Sequence, residues 1–228
     1  MPGLIKKEEK NMTLTSFIIN TVLGVGLYMV ANLFARFIYK KRFGEQLFNG
    51  KKGVVIQLIS IVLSGLMMNA LGIYGFSLIS RVSLVTLAAT ALLIGRIDRN
   101  KMIIPNEMIL ALLVIRVISL FGEMFIDNNP VGITLFDTLA GIFAATAIFL
   151  LARLFSKGCV GMGDIKLLAV VGMYVGVGTI LPLLIVTVFS SLIYSVIMIA
   201  KKTISKKDTM SFAPFIAAGI VTVVLMGI

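Results

Sequence analysis

The sequence predicts an all-α polytopic membrane protein with about eight transmembrane helices. Of its 228 residues, 59% are hydrophobic and only 14% are charged, and the mean hydropathy is +1.07. Soluble domains contain about 45–50% apolar and about 25% charged residues. The composition therefore excludes an ordinary soluble domain and makes the lipid bilayer the expected environment.

Eight apolar stretches are candidate spans, because a helix needs about 20 apolar residues to cross the hydrocarbon core. All are predicted to be helical, since a lone strand cannot satisfy its backbone polar groups in lipid. The sixth stretch is short and glycine-rich, so its boundary with the seventh is uncertain. The predicted spans are 13–35, 53–73, 78–97, 103–121, 132–155, 164–178, 180–200 and 210–227.

The first span, 13–35, follows a charged segment and precedes a more strongly basic loop, 36–52. A cleavable signal peptide has the opposite charge order and a shorter apolar core, so we expect this span to be retained. The sequence contains no evident internal repeat or low-complexity linker. We therefore expect one domain over 1–228, with 53–228 as its core.

The basic residues predict the orientation. When the 21 Lys and Arg residues are assigned to the two sides of these spans, 16 fall on one side and 5 on the other. Basic loops stay in the cytoplasm, so both termini are expected outside. The net charge of +11 is then mainly a topology signal with some affinity for anionic headgroups, and nucleic-acid binding is not expected.

Histidine does not occur, and Cys159 is the single cysteine. These counts exclude a Ser-His-Asp triad, a Cys-His dyad, an internal disulfide and a zinc site built on His or paired Cys. We interpret Cys159 as a small apolar filler. No metal and no cofactor are expected.

Two aspartates lie at the ends of predicted spans on the same side of the membrane. Asp98 closes the third span and Asp164 opens the sixth. Ionisable groups at such positions suggest a functional site. Two carboxyls within hydrogen-bond reach share a proton and titrate as a unit. One can then take a proton from water while the other donates to a peptide carbonyl, as in aspartic proteases.

Each aspartate segment also has a purely structural interpretation. Gly161 and Gly163 allow another chain to approach closely, but Gly-x-Gly-Asp equally fits a loop followed by a capping aspartate. The segment after Asp98 equally fits a helix end, a basic turn and a proline, Pro105, near the next helix start.

Together, "IDRNKMIIPN" (97–106) and "GMGDIKLL" (161–168) resemble the type IV prepilin peptidases, which are polytopic aspartic proteases with a Gly-x-Gly-Asp motif. In that family one aspartate ends a helix and a proline follows seven residues later, often within Ile-Pro-Asn. The second aspartate stands in Gly-x-Gly-Asp-x-Lys-Leu. The matching positions here are Asp98, Ile104, Pro105, Asn106, Gly161, Gly163, Asp164, Lys166 and Leu167.

Two more segments extend the resemblance, which runs from about residue 53 to the C-terminus. "FDTLAGIF" supplies Asp137 and Gly141, like the family's aspartate and glycine in the intervening helix. "SFAPFIAAG" is similar to the family's Pro-Phe-Gly-Pro-Phe segment, but Ser211 and Ala213 replace the usual Pro and Gly. Many bacterial members carry a four-cysteine domain, associated with N-methylation, between the first two spans. Loop 36–52 has no cysteine, so the resemblance implies a short, peptidase-only form.

The resemblance implies a membrane aspartic endopeptidase that cleaves the short basic leader of a type IV prepilin or pseudopilin after a glycine. Asp98 and Asp164 would be the catalytic pair, facing the cytoplasm from the inner membrane, with no cofactor. Which aspartate is the base, which pilus or secretion system is served, and the oligomeric state stay open.

The remaining polar residues have two interpretations each. We interpret Lys166 as an interfacial lysine that reaches the headgroups, the alternative being electrostatic steering of the aspartate pair. Glu45 and Asp208 are interpreted as solvated loop charges, the alternative being contacts with a basic leader. Asp137 is interpreted as a helix cap rather than a third catalytic group.

Two alternative functions remain. Glycine-rich helices and intramembrane carboxylates also occur in secondary transporters and channels, although Asp98 and Asp164 lie at one interface rather than at the midplane. A non-catalytic pilus assembly factor on the same fold is the other, since fold alone does not establish function. The presence of both Asp98 and Asp164 argues against a non-catalytic assembly factor.

Overall fold

The computed structural model describes residues 13–48, 50–155, 161–201 and 210–227, and over these ranges the chain forms seven helices and no strand. The all-helical prediction is confirmed. Six of these helices are long and apolar enough to cross a membrane, and α7 is shorter. The helices are α1 (Leu14–Phe43), α2 (Gly50–Ile73), α3 (Leu78–Lys101), α4 (Asn106–Phe125), α5 (Val131–Phe155), α6 (Met162–Ala200) and α7 (Ala213–Met226).

Helix α3 is the central helix of the bundle and packs against α1, α2, α4 and α7. In the most apolar stretch of α3, 61% of the residues are buried inside the protein. The corresponding shares in α1 and α5 are only 28% and 22%. The outer helices leave large apolar side chains exposed, as expected for surfaces that face lipid tails. A residue in the last turn of α3 therefore lies near the axis of the bundle, at one of its ends, with other helices around it.

The end of α3 directs the chain into α4. Met102 adopts a left-handed conformation (φ 54°), and its N–H donates to the Asp98 carbonyl at 2.7 Å. Helix α4 then begins directly after Pro105, whose fixed φ suits a helix start. This short connection keeps Pro105 and Asn106 close to Asp98.

Helix α4 continues to Phe125, beyond the predicted span 103–121, which would leave Glu123 in an external loop. That boundary is wrong, because Glu123 is helical. Glu123 is buried in α4 and forms an ion pair with Arg116 at 2.9 Å. The Ser80 hydroxyl donates to the same carboxylate at 3.1 Å. Because partners within the bundle satisfy the charge, the helix can carry Glu123 through a buried position.

Helix α6 contains both the sixth and the seventh predicted spans, 164–178 and 180–200. It has 39 residues, so a straight helix would be about 58 Å long, far more than the bilayer core. Gly176, however, has φ 73° and ψ 177°, a conformation that is essentially restricted to glycine. The helix is therefore broken at this residue.

The two ends of α6 lie at the same end of the bundle. Near its start, Gly163 packs against Ile104, which follows the end of α3. Near its end, the Tyr194 ring packs on Phe215 of α7, with centroids 5.4 Å apart, and α7 begins at Asp98 through the Ala213 N–H. A straight helix cannot satisfy both sets of contacts, so the chain folds back at Gly176 into two segments, 162–175 and 177–200.

Two charged side chains satisfy the backbone at this break. In a continuous helix the Val177 N–H would bond to the Met173 carbonyl. Instead, the Val177 N–H donates to Asp137 Oδ1 at 2.9 Å, and Arg116 Nε donates to the Met173 carbonyl at 2.9 Å. Each charge has the sign that the neighbouring helix terminus favours. Asp137 is thus a helix cap, for the second segment of α6 rather than for its own helix.

We expect Gly176→Ala to lower the free energy of unfolding by about 2–4 kcal/mol, because the backbone conformation disfavours any side chain and the added methyl would meet the Asp137 carboxyl. Gly178→Ala is the matched control, since a Cβ there meets nothing within 4 Å. Thermal unfolding in detergent measures both. Equal midpoints for the two variants would contradict the proposed break.

Candidate functional site

Asp98 lies in the last turn of α3 and is only 6% exposed. Among the described residues, two donors bind its carboxyl. Both lie where the chain enters α7, and both reach the same oxygen, Oδ2. The Ser211 hydroxyl donates at 2.5 Å, and the Ala213 N–H donates at 3.3 Å. The carboxyl is therefore tied to a segment that is distant in sequence.

A glycine on α3 permits this contact. Gly95 lies about one turn before Asp98, and a Cβ there would be 3.0 Å from the Pro214 Cα. Without that Cβ, the start of α7 packs directly on the α3 backbone. The segment "SFAPF", which is similar to the Pro-Phe-Gly-Pro-Phe segment, therefore lies against Asp98.

Asp164 lies in the first turn of α6, which begins after Gly161. It is half-buried, and its Oδ2 lies so close to Gly161 that a Cβ there would be 2.8 Å away. Among the described residues, its Oδ1 is buried without a hydrogen-bond partner. The Asp164 carboxyl thus keeps an acceptor position to which no described residue donates.

The two aspartate motifs also contact each other through their flanking residues. A Cβ at Gly163 would be 3.2 Å from the Cβ of Ile104. Lys166 Nζ donates to Asn106 Oδ1 at 3.4 Å, and Pro105 between these residues is buried. The start of α4 therefore packs on the start of α6, where Lys166 stays exposed.

Other candidate residues lie elsewhere. Glu45 is an exposed loop charge, as expected, and it forms an ion pair with Lys101 at the end of α3 at 3.0 Å. Asp137 lies near the start of α5, at the break in α6, where it accepts from the Val177 N–H. It is not part of the aspartate pair. Cys159 and Asp208 lie outside the described residues.

A cavity of about 280 Å³ opens at Ser211, between the end of α3, the end of α6 and the start of α7, and Asp98 is not part of its wall. Ser211, which binds Asp98, is part of its wall, and most of the remaining wall is apolar or aromatic, with Arg99 at the side.

Two contacts of the structure were not predicted from the sequence, one at the site and one towards the other end of α4. Ser211 stood out only as a departure from a motif, and no local pattern connects it with Asp98. The Arg116–Glu123 pair was also missed, although Arg and Glu seven residues apart occupy one helix face, and that spacing could have indicated it.

Comparison with known proteins agrees with this site. The model of the type IV leader peptidase family matches residues 85–199, half of the chain, and this range includes both Asp98 and Asp164. The chain therefore belongs to the type IV leader peptidase family, as the two motifs indicated, and it is a multi-pass membrane protein.

One curated relative is the prepilin leader peptidase/N-methyltransferase of Bacillus subtilis (strain 168). It is 30% identical over 133 residues, which cover 57% of this chain and 50% of that protein. The chain thus matches about half the length of this relative. No solved structure matches the chain.

The contact between the two motifs predicts a disulfide cross-link. In a Cys159→Ser background, we expect Ile104→Cys and Gly163→Cys to oxidise to a disulfide. Disulfides need Cβ atoms no farther apart than about 4.5 Å, and the Cβ positions here are 3.2 Å apart, so a small shift reaches the usual spacing. Protection from a maleimide reagent before reduction, and its loss afterwards, measures the bond. Ile104→Cys with Gly178→Cys is the control pair and should stay reduced. Free thiols in the first pair would show that the motifs do not meet.

Proposed function

We propose that this protein is an aspartic endopeptidase that removes the leader of type IV prepilins or pseudopilins. The observation that carries the proposal is the packing of the Asp98 and Asp164 motifs on each other at one end of the bundle, through Ile104 and Gly163, in a chain of the type IV leader peptidase family. The relative's name gives prepilin leader cleavage as its activity, and we extend that activity to this chain.

The two carboxyls act on one water molecule in the proposed reaction. The ionised carboxyl takes a proton from the water as the oxygen attacks the carbonyl carbon of the glycine that ends the leader. The protonated carboxyl donates to the carbonyl oxygen, giving a tetrahedral intermediate. The C–N bond then breaks, the new amine takes a proton from the pair, and the leader leaves with a carboxylate.

The charge distribution supports a cytoplasmic position for the site. The connections at the Asp98 end of the bundle contain most Lys and Arg residues, including Arg99 and Lys101 beside Asp98. Basic connections are retained in the cytoplasm. We therefore place the aspartates at the cytoplasmic face of the inner membrane, where a short leader would meet them before an apolar helix enters the bilayer.

The proposal covers the peptidase activity and leaves out the methyltransferase activity in the relative's name. Helix α1 ends at Phe43 and α2 begins at Gly50. This connection is only a few residues long, and the family's cysteine-rich methylation domain would have to lie within it.

A transporter is the second candidate, because α6 is a discontinuous helix with charged partners at its break, as in many carriers. Asp137 and Arg116, however, already bind the backbone groups that the break releases. They therefore have a structural role that needs no transported ion. Substitution of Asp98 and Asp164 distinguishes the two functions experimentally.

We expect Asp98→Asn and Asp164→Asn each to abolish leader cleavage, with a loss of at least about 10³-fold, because each removes a group that transfers a proton in the reaction. The measurement is the gel shift of a prepilin in membranes that contain equal amounts of each variant. Glu107→Gln is the control, since Glu107 is an exposed carboxylate at the start of α4. Cleavage that survives either aspartate change would remove the two-carboxyl mechanism, and an inactive wild type would favour the transporter.

A further inference from the structure

We propose that Ser211 is a positioning residue that sets the orientation of the Asp98 carboxyl for catalysis. The inference rests on the proposed peptidase function and identifies a residue beyond the two aspartates. Ser211 stands where members of the family usually have proline, which has no hydroxyl to donate. The contact is therefore a feature of this chain's own sequence.

The geometry at Asp98 is asymmetric. The Ser211 hydroxyl and the Ala213 N–H both bind Oδ2, so this oxygen is committed to the start of α7. Because a carboxyl group is planar, fixing Oδ2 also fixes the direction of Oδ1. The second oxygen is then left for water or for Asp164.

The hydroxyl is the closer of the two donors. Its distance of 2.5 Å is at the short end of the range for a hydroxyl that binds a carboxylate, whereas the Ala213 N–H is 3.3 Å away. Removal of the hydroxyl would leave only the weaker bond. The carboxyl could then rotate about its χ2 angle, which has a broad energy profile.

The backbone around Ser211 is held from two sides. The Phe212 ring packs on Phe149 of α5, with centroids 5.7 Å apart, and Pro214 packs on the Gly95 backbone of α3. These contacts do not involve the Ser211 side chain. A change at the hydroxyl should therefore alter the carboxyl orientation while the start of α7 stays in place.

A second serine in the same region provides a matched control. The Ser195 hydroxyl donates to the Ser191 carbonyl within α6 and contacts Met210, the residue before Ser211. Among the described residues, the hydrogen bonds to Asp98 come from Ser211 and Ala213 and not from Ser195. Ser195→Ala thus removes a neighbouring, partly buried hydroxyl without changing the Asp98 hydrogen bonds.

The test measures kcat and KM for a prepilin leader substrate, with the full chain in lipid vesicles. We expect Ser211→Ala to lower kcat by about tenfold to hundredfold with KM within about twofold, because misplacement of a reacting group reduces the rate more than the binding. Ser211→Thr should restore most of kcat, and Ser195→Ala should match the wild type. Thermal unfolding of each variant reports its folding.

The pair Ser211→Thr and Ser211→Val keeps the test independent of folding effects, because the two side chains have the same shape and only threonine has the hydroxyl. A rate for valine far below that for threonine supports the positioning role. Equal rates for valine and threonine, or an unchanged kcat for Ser211→Ala, would overturn the positioning role of Ser211. The aspartate mechanism would still stand in that case if Asp98→Asn is inactive. If Asp98→Asn stays active, the proposed function fails, and the role of Ser211 fails with it.

Discussion

Every backbone polar group inside a bilayer needs a partner from the protein, and the break of α6 at Gly176 depends on this requirement being met. Asp137 binds the released Val177 N–H, and Arg116 binds the released Met173 carbonyl. Since both partners are charged and each suits the dipole of the helix end that it meets, the chain can fold back within the membrane. As a result, the segment that carries Asp164 and the chain that leads into α7 both reach the end of the bundle where Asp98 lies.

The membrane-embedded charges fall into two groups that differ in their surroundings. Arg116 and Glu123 are buried as an ion pair with additional hydrogen bonds to Met173 and Ser80, which is the arrangement that makes a buried pair tolerable. Asp164, in contrast, keeps one buried oxygen without a partner among the described residues. This difference separates charges that hold the fold from a carboxyl that is available for chemistry, and it is why the proposed reaction is assigned to the aspartates.

The site is built mainly on helix ends, so regular secondary structure holds each group. The end of α3 supplies Asp98, and the starts of α4, α6 and α7 pack around it through Ile104, Gly163 and Pro214. Sites on helices are more precisely positioned than sites on loops. The dense contact between these helix ends gives a physical basis for the proposed role of Ser211, whose hydroxyl is presented to Asp98 from a firmly packed backbone.

The sequence by itself determined the helical membrane class and was enough to propose Asp98 and Asp164 as candidate site residues, because apolar runs and short motifs are local properties. It also identified the short, glycine-rich stretch at which α6 folds back. Only the tertiary structure decided that Ser211 binds Asp98, that Asp137 caps a different helix, and that Glu123 is buried with Arg116. Each of these outcomes depends on which groups become neighbours after packing. A side chain's type limits the partners that it can satisfy, but the fold decides which unsatisfied group it meets.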